Sequence, residues 1–292
     1  MNLFLDTDIG SDVDDALALA LVVGSPELQL DGVSTVYGNT RLRAQLASRY
    51  LRLAGAGSPP VAAGAEATLS GREVWWAGHE GGLFADLDTE QVGEDGVDML
   101  VRAVADAPGT VDVLAIGPLT NIAKALDADP AFASNVRRLV VMGGHFGDGR
   151  TAEHNIRCDV TAAQRVFSSG LDIVVGGLDL TTKVWLDSAD VAQIARSGAF
   201  GDVIAQETKV WWEFNHEDRN TPHDAILALW IAMPELFTAQ RVSVTVDDEG
   251  RTIEQPDEAG LVQVLDVPDP QTVRREIVRR IVAASAQGAE AR

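Results

Sequence analysis

Five carboxylates lie within ten residues near the start of the chain, and their crowding indicates metal chemistry. They are Asp6, Asp8, Asp12, Asp14 and Asp15. The apolar segments on either side predict a buried strand before this loop and a buried helix after it. Two carboxylates about 4 Å apart repel each other by roughly 4 kcal/mol at an effective dielectric constant near 20. A solvated turn with aspartate caps would relieve this repulsion in water, but the buried flanks favour a cation held by the loop.

Further polar side chains follow the later strands. Ligands of a parallel sheet bind at the carboxyl ends of its strands. The residues predicted at or shortly after those ends include Asn39, Met142, Glu153, Asn155, His223 and Asp224. The ligands are mainly oxygens, with no cysteine cluster or histidine pair at zinc spacing, so a hard cation is favoured, calcium over magnesium if many protein oxygens converge. Considered alone, His223 also fits a structural histidine, and Asp224 a carboxylate that complements a helix dipole.

Strand-like and helix-like patterns alternate along the chain, which is typical of an α/β protein. We expect a single domain, residues 1–292, built on a doubly wound, mostly parallel, Rossmann-like sheet with helices on both faces. The period changes near the C-terminus, where Val242–Val246 alternates, a turn follows, and Leu261–Val267 completes a predicted antiparallel hairpin at one edge. Shortly before it, Thr221 and Pro222 are predicted to cap and begin one further helix.

Composition and charge limit the class of protein and its partners. The chain is 46% hydrophobic, enough for a large core, and its net charge is −21 at pH 7. Such acidity argues against nucleic acids and anionic membranes, since both attract basic surfaces. The single cysteine, Cys158, excludes an internal disulfide and fits a reducing compartment. The first residues lack the features of a signal peptide and no run of about 20 apolar residues occurs, so we expect a cytoplasmic protein.

The acidic loop resembles the DxDxG…DDA signature at the N-terminus of the inosine–uridine-type nucleoside hydrolases. The matching blocks, in the family order, are Asp6-Thr7-Asp8-Ile9-Gly10, Asp14-Asp15-Ala16, Tyr37-Gly38-Asn39, Gly117-Pro118-Leu119-Thr120-Asn121, Val141-Met142-Gly143-Gly144, Glu153-His154-Asn155 and His223-Asp224-Ala225. A single DxD motif is weak, whereas ordered blocks over most of the chain are specific. The resemblance implies a calcium-dependent hydrolase that cleaves the N-glycosidic bond of ribonucleosides to free base and ribose.

The resemblance also implies roles for individual residues. The metal ligands would be Asp8, Asp15, Asp224 and the backbone carbonyl of Ile116. The ribose contacts would be Asp14, Asn39, Met142, Glu153 and Asn155. Asp8 would also take the proton from a metal-bound water, and His223 would lie near the base and could protonate it as it leaves. By the same resemblance we expect a role in nucleoside catabolism and purine or pyrimidine salvage, and a homodimer or homotetramer.

Some features depart from the usual signature. Two extra residues between Gly10 and Asp14 add Asp12, whose role the resemblance leaves open. Gly78–Leu83 is only loosely similar to the family's HGxxGL loop, so the role of His79 is open as well. The base preference is also open, because the base pocket is expected on irregular segments of the chain. Candidates for an aromatic wall beside the base are Trp75, Trp76, Trp185, Trp211 and Trp212.

Two other functions are compatible with parts of the pattern. A phosphatase with an aspartyl nucleophile also has Asp-x-Asp after a strand. It needs Thr or Val two residues past Asp8, where this chain has Gly10, and a phosphate-binding lysine downstream. A calcium-dependent nucleoside- or sugar-binding protein without turnover needs only the cation and ribose contacts. The presence of both Asp8 and His223 favours the enzyme.

Overall fold

One sheet with helices on both faces forms the body of the computed structural model, which describes residues 1–147 and 149–290. The strands are β1 (Asn2–Thr7), β2 (Gln29–Thr35), β3 (Val61–Ala63), β4 (Val111–Ala115), β5 (Arg138–Met142), β6 (Ile173–Gly176), β7 (Thr238–Val246), β8 (Thr252–Pro256) and β9 (Val262–Asp266). The helices are α1 (Asp14–Val23), α2 (Thr40–Leu53), α3 (Gly96–Asp106), α4 (Thr120–Ala128), α5 (Phe132–Asn135), α6 (His154–Cys158), α7 (Val160–Phe167), α8 (Leu178–Thr181), α9 (Ser188–Ala195), α10 (Ala199–Asn215), α11 (His223–Ala232) and α12 (Pro270–Glu290). Single turns of 3-10 helix cover Leu87–Thr89 and Pro234–Leu236.

Strand β1 lies inside the sheet, parallel to β2 on one side and to β4 on the other. The order across the sheet is β3-β2-β1-β4-β5-β6-β9-β7-β8. Side chains alternate between the two faces of a strand. Accordingly, Leu3 and Leu5 pack into the core on one face, while Phe4 packs into the core on the other. The strands from β1 to β6 and β9 run parallel, which confirms the expected fold class.

Helix α1 is buried around most of its circumference, and this burial fixes the acids at its start. Every residue from Asp14 to Val22 is buried. The helix packs against α11, whose residues from Asp224 to Ile231 are also buried. Because Asp14, Asp15 and Asp224 all lie in the first turns of these two apolar helices, helix packing brings their carboxylates together.

The C-terminal strands form a more elaborate edge than the predicted hairpin. Strand β7 pairs antiparallel with β9, as expected for Leu261–Val267, with Val242 opposite Val262. On its other side β7 pairs antiparallel with β8, a strand that the sequence pattern did not predict. Strand β9 also runs parallel to β6 and therefore joins the antiparallel edge to the parallel sheet.

The predicted start of the helix near residue 221 is wrong by one position. Helix α11 begins at His223, and Pro222 occupies the capping position with φ −82° and ψ 63°. No side chain caps this helix end. The shift puts His223 and Asp224 in the first turn of α11. Within the described residues, no helix is long and apolar enough to cross a membrane.

Candidate active site

A cavity of about 650 Å³ opens near the carboxyl ends of β1, β4 and β5. This is the position expected for a ligand site in an open α/β sheet. Ten of the twelve site residues predicted from the sequence line it: Asp8, Asp12, Asp14, Asp15, Ile116, Met142, Glu153, Asn155, His223 and Asp224. The remaining two, Asn39 and His79, lie outside the lining.

Asp14, Asp15 and Asp224 form a compact group of buried carboxylates at one side of this cavity. One oxygen of each lies within 4.8 Å of the others. The Thr7 hydroxyl donates to Oδ1 of Asp15, but Oδ1 of Asp224 is buried without a hydrogen-bond partner among the described residues. Burial raises the pKa of all three carboxyl groups well above the usual range, and repulsion from neighbouring aspartates raises each further. An all-oxygen set with an unpartnered buried oxygen fits a hard divalent cation.

Asp8 faces the same cavity from the end of β1 but is not one of these three carboxylates. Burial raises the pKa of the Asp8 carboxyl, while the positive charge of Arg43 opposes the rise. A Cβ atom at Gly117 would lie 2.8 Å from Oδ1 of Asp8. Glycine at position 117, directly after the predicted metal ligand Ile116, therefore leaves room for the Asp8 carboxylate.

The predicted ribose contacts after β5 are held by backbone groups. Oε1 of Glu153 accepts from the backbone N–H of Asn155 at 2.9 Å, and Oε2 accepts from that of Gly144 at 3.1 Å. The Asn155 side-chain amide donates to the carbonyl oxygens of Ile116 at 2.9 Å and of Met142 at 3.2 Å. These bonds fix both side chains before any substrate binds, an arrangement suited to a preorganised site.

Asn39 and His79 have other partners in this structure. Asn39 is exposed, and its side-chain oxygen accepts from the backbone N–H of Leu42 at 3.0 Å, which caps α2. Its predicted ribose contact therefore has no support in this geometry. Nε2 of His79 lies 2.7 Å from the carbonyl oxygen of Ser11, so His79 connects its loop to the acidic loop from outside the cavity.

Asp12, whose role the sequence left open, lines the cavity and also accepts hydrogen bonds from the backbone at the start of α1. Its Oδ1 accepts from the backbone N–H of Val13 at 2.5 Å and of Asp14 at 3.4 Å. Burial and the neighbouring aspartates raise the pKa of Asp12 to about 8. The two extra residues thus add one more acid to an already crowded site, and its carboxylate is bound to the backbone at the start of α1.

His223 lies deep in the cavity wall, where its Nδ1 is 2.7 Å from the Thr181 hydroxyl oxygen. Burial lowers the pKa of the imidazole to about 4. The ring is therefore neutral at pH 7. If the Thr181 hydroxyl donates to Nδ1, the single ring proton is on Nε2 and is available to a ligand.

Aromatic rings form the outer wall of the cavity. Of the five candidate tryptophans, Trp75 and Trp211 line it. Trp211 stacks on Phe214 with ring centroids 5.7 Å apart. The ring of Trp75 is nearly perpendicular to that of His154, with centroids also 5.7 Å apart. Trp75 remains 42% exposed, so its ring has free surface for a ligand.

Sequence reasoning missed ten further lining residues, among them Tyr37, Arg43, His154 and Cys158. Tyr37 and His154 belong to motif blocks that the family resemblance had already identified, which was an available signal. Cys158 lies one helical turn after His154, with Sγ 3.4 Å from its Nε2, and burial raises the pKa of this thiol to about 11. A thiol with so high a pKa is a poor nucleophile at neutral pH.

Comparisons with known proteins agree with this geometry. The family model described as inosine-uridine preferring nucleoside hydrolase matches residues 3–282. The non-specific ribonucleoside hydrolase RihC of Shigella boydii is 35% identical over 261 residues, 85% of this chain and 84% of that protein. A probable uridine nucleosidase of Oryza sativa subsp. japonica is 32% identical over 266 residues, 85% of this chain and 82% of that protein.

A solved structure shows the same fold. The purine-preferring ribonucleoside hydrolase from Gardnerella vaginalis superposes with a TM-score of 0.86 at 26% identity, covering 98% of this chain and 99% of that one. These relatives, named as hydrolases or nucleosidases, cleave N-glycosidic bonds. The chain belongs to the inosine-uridine preferring nucleoside hydrolase family and is an N-glycosyl hydrolase that acts on ribonucleosides.

Proposed function

We propose that this hydrolase requires a calcium ion held by Asp8, Asp15, Asp224 and the backbone carbonyl of Ile116, with Asp14 beside it, and that Asp8 also acts as its general base. The observation that carries the proposal is the group of three buried carboxylates, whose oxygens lie within 4.8 Å of one another at the cavity wall. The unpartnered Oδ1 of Asp224 supports it, because a buried carboxylate oxygen without a donor is costly unless a cation neutralises it. Ile116 lines the same cavity, and its carbonyl oxygen has one lone pair beyond the bond from Asn155.

The donor set favours calcium among the common divalent ions. Carboxylate and carbonyl oxygens suit hard cations, and calcium accepts more protein oxygens than magnesium, which retains several waters. When bound, such a cation lowers the pKa of a coordinated water and polarises oxygen atoms of the substrate. Asp8, at the end of β1, is placed to accept a proton from the attacking water, a role worth about 10²- to 10⁴-fold in rate.

The ribose is proposed to lie among Asp14, Met142, Glu153 and Asn155. Cleavage of a glycosidic bond proceeds through an oxocarbenium-like sugar. Carboxylate and amide oxygens held in place by backbone hydrogen bonds stabilise that positive charge without reorganising. Asn39 enters this set only on the family resemblance, because the structure places it outside the cavity lining.

The leaving base is proposed to lie between His223 and the aromatic wall. A neutral His223 whose Nδ1 accepts from Thr181 presents its Nε2–H to a nitrogen or oxygen of the base. The hydrogen bond strengthens as negative charge develops on the base and so stabilises the leaving group, which takes its final proton from solvent. Trp75 and Trp211 offer ring faces on which purines and pyrimidines can both stack.

A nucleoside panel tests the proposal. Inosine, uridine, adenosine, guanosine and cytidine are each incubated with the purified protein in calcium, and released ribose is measured. We expect hydrolysis of at least one, loss of activity on chelation with EGTA, and recovery with added calcium. Asp8→Asn is the matched inactive control, since it keeps the side-chain shape and removes the base. Retained activity after exhaustive chelation, or in Asp8→Asn, would exclude these roles.

Two companion measurements, of phosphate release and of nucleoside binding, separate the alternatives. Release of inorganic phosphate from p-nitrophenyl phosphate without ribose release would indicate an aspartyl phosphatase. Tight nucleoside binding without turnover would indicate a binding protein. We further infer a homodimer or homotetramer on the family resemblance, which sedimentation velocity tests directly.

A further inference from the structure

Arg43 is a fully buried arginine of α2 whose charge is held by uncharged groups. Its four described hydrogen bonds all go to neutral acceptors. Nε donates to the carbonyl oxygen of Tyr37 at 2.7 Å, and Nη1 donates to that of Ile9 at 2.9 Å and to that of Asp8. Nη2 donates to the Ser11 hydroxyl at 3.3 Å. Burying a cation is costly, and this one is positioned to organise backbone rather than to neutralise a single carboxylate partner.

The bonds from Arg43 fix the part of the acidic loop that follows β1. Two of its acceptors are the consecutive carbonyls of Asp8 and Ile9, just before Gly10 at φ 120°. Another acceptor is the carbonyl of Tyr37, a bulky residue in the left-handed region at φ 70°. A non-glycine residue at positive φ is strained and persists only when surrounding contacts hold it. The guanidinium donates to these carbonyls from Nε and Nη1, whose relative positions are fixed, and an ammonium group cannot reproduce that geometry.

The same guanidinium also contacts the segment that carries Trp75 and Trp76. Its Cζ lies 4.8 Å from the ring centroid of Trp76, next to the cavity-lining Trp75. The Ser11 hydroxyl donates to Oε1 of Glu80 at 2.7 Å. Glu80 in turn accepts from the backbone N–H groups of Ala77 at 2.8 Å and Gly78 at 2.7 Å. A continuous set of contacts therefore runs from the acidic loop, through Arg43 and Ser11, to the segment that carries Trp75.

We propose that Arg43 is a positioning residue that fixes the acidic loop relative to the segment that carries Trp75 and Trp76. Binding of the cation and binding of the base therefore both depend on this one guanidinium. The inference rests on the proposed function for the nature of the two ligands. It assigns no direct contact with the reacting atoms to Arg43. Removal of the guanidinium should weaken both calcium affinity and nucleoside affinity, whereas loss of an ordinary buried side chain would lower stability alone.

The test compares Arg43→Met with Arg49→Met in the full chain. Arg49 lies on the same helix, is also buried, and pairs with Glu90 and Asp86 away from the cavity lining. Calcium affinity is measured by titration calorimetry after chelation, and KM and kcat by ribose release. We expect Arg43→Met to weaken calcium binding and to raise KM, each at least fivefold, and Arg49→Met to change neither by more than twofold. A folded Arg43→Met with calcium affinity and KM within twofold of the parent would overturn the proposal.

Further variants cover the case in which Arg43→Met does not fold. Arg43→Lys keeps the charge but loses the planar fork, and should retain most of the defect in both affinities. Ser11→Ala removes one acceptor of Arg43 and the donor to Glu80, and should raise KM more than it weakens calcium binding. If both variants match the parent, the inference fails while the proposed function stands. If the parent binds calcium but cleaves no nucleoside, the proposed function fails, and the calcium titrations still decide the role of Arg43.

Discussion

Asn155 donates its side-chain amide to the carbonyl oxygen of Ile116 at 2.9 Å. The same amide nitrogen is 3.2 Å from the carbonyl oxygen of Met142, so one side chain joins the ends of β4 and β5. Ile116 lies just past the end of β4, whereas Met142 is the last residue of β5 and still pairs with Gly176 of β6. Asn155 therefore helps to shape the cavity that it lines.

Replacing this amide by a carboxyl group should destabilise the protein. Asn155→Asp places an oxygen against two carbonyl oxygens and adds a charge to an acidic cavity. We expect a loss of roughly 1–3 kcal/mol in the free energy of unfolding, measured by urea denaturation, because buried acceptors lose their donor. Asn135→Asp, at the end of α5 and outside the cavity lining, is the control and should stay within about 0.5 kcal/mol of the parent. Equal stability of the two variants would contradict the assigned role.

Calcium should stabilise the protein through Asp224. With free calcium at 100 times its dissociation constant, the parent should gain roughly 2.7 kcal/mol in the free energy of unfolding. Asp224→Asn should lose most of that gain, yet be at least as stable as the parent in EGTA, since one of three crowded charges is gone. The control is Asp218→Asn, at an exposed aspartate, which should keep the full calcium effect. A calcium effect of parental size in Asp224→Asn would exclude it as a ligand.

His223 should act as a neutral group over the usual assay range. Its pKa is lowered to about 4 by burial, so the imidazole is neutral above about pH 5 and becomes charged only as the pH falls through 4. We expect His223→Gln to lower kcat/KM by about 10²-fold or more, with a parent-to-variant ratio that stays constant between pH 5.5 and 8. A ratio that titrates with a midpoint near 6.5 would show a freely solvated histidine instead. Thr181→Val removes the partner of Nδ1 and should give part of the same defect.

Trp75 should contribute to substrate affinity through its exposed ring face. Trp75→Ala is expected to raise KM by roughly 2- to 10-fold with little change in kcat, since an aromatic contact contributes about 0.5–1.5 kcal/mol. Trp185 is a matched control, because it is 37% exposed, similar to Trp75, but does not line the cavity. The assay is steady-state ribose release with the best nucleoside of the panel. Equal KM values for the two variants would remove Trp75 from the base site.

The sequence pattern was sufficient to predict the parallel sheet and the clustering of acidic side chains at one edge of it. The apolar segments on either side of the acidic loop predicted β1 and α1, and the carboxyl-end rule placed Asp224 near that loop. Strand β8 was missed because Thr252–Pro256 carries charged and proline residues and lies at the sheet edge, where burial imposes little alternation.

Arg43 could not be predicted for a different physical reason. On an amphipathic helix an arginine marks the polar face, and its usual environment is solvent. Only the tertiary structure shows that this part of the α2 surface lies against the acidic loop and Trp76. The capping role of Asn39 was not predicted either, because the motif position indicated only a ribose contact, which stays a prediction.

The position of β9 between β6 and β7 has a consequence for synthesis of the chain. Residue 173 of β6 pairs with residue 262 of β9, so the apolar edge of β6 has no neighbour on that side until most of the chain has left the ribosome. An unpaired edge of buried, branched residues is prone to aggregation during that interval. Truncations that end before β9 should therefore accumulate as insoluble protein, while the full chain closes the edge late through long-range contacts and folds slowly.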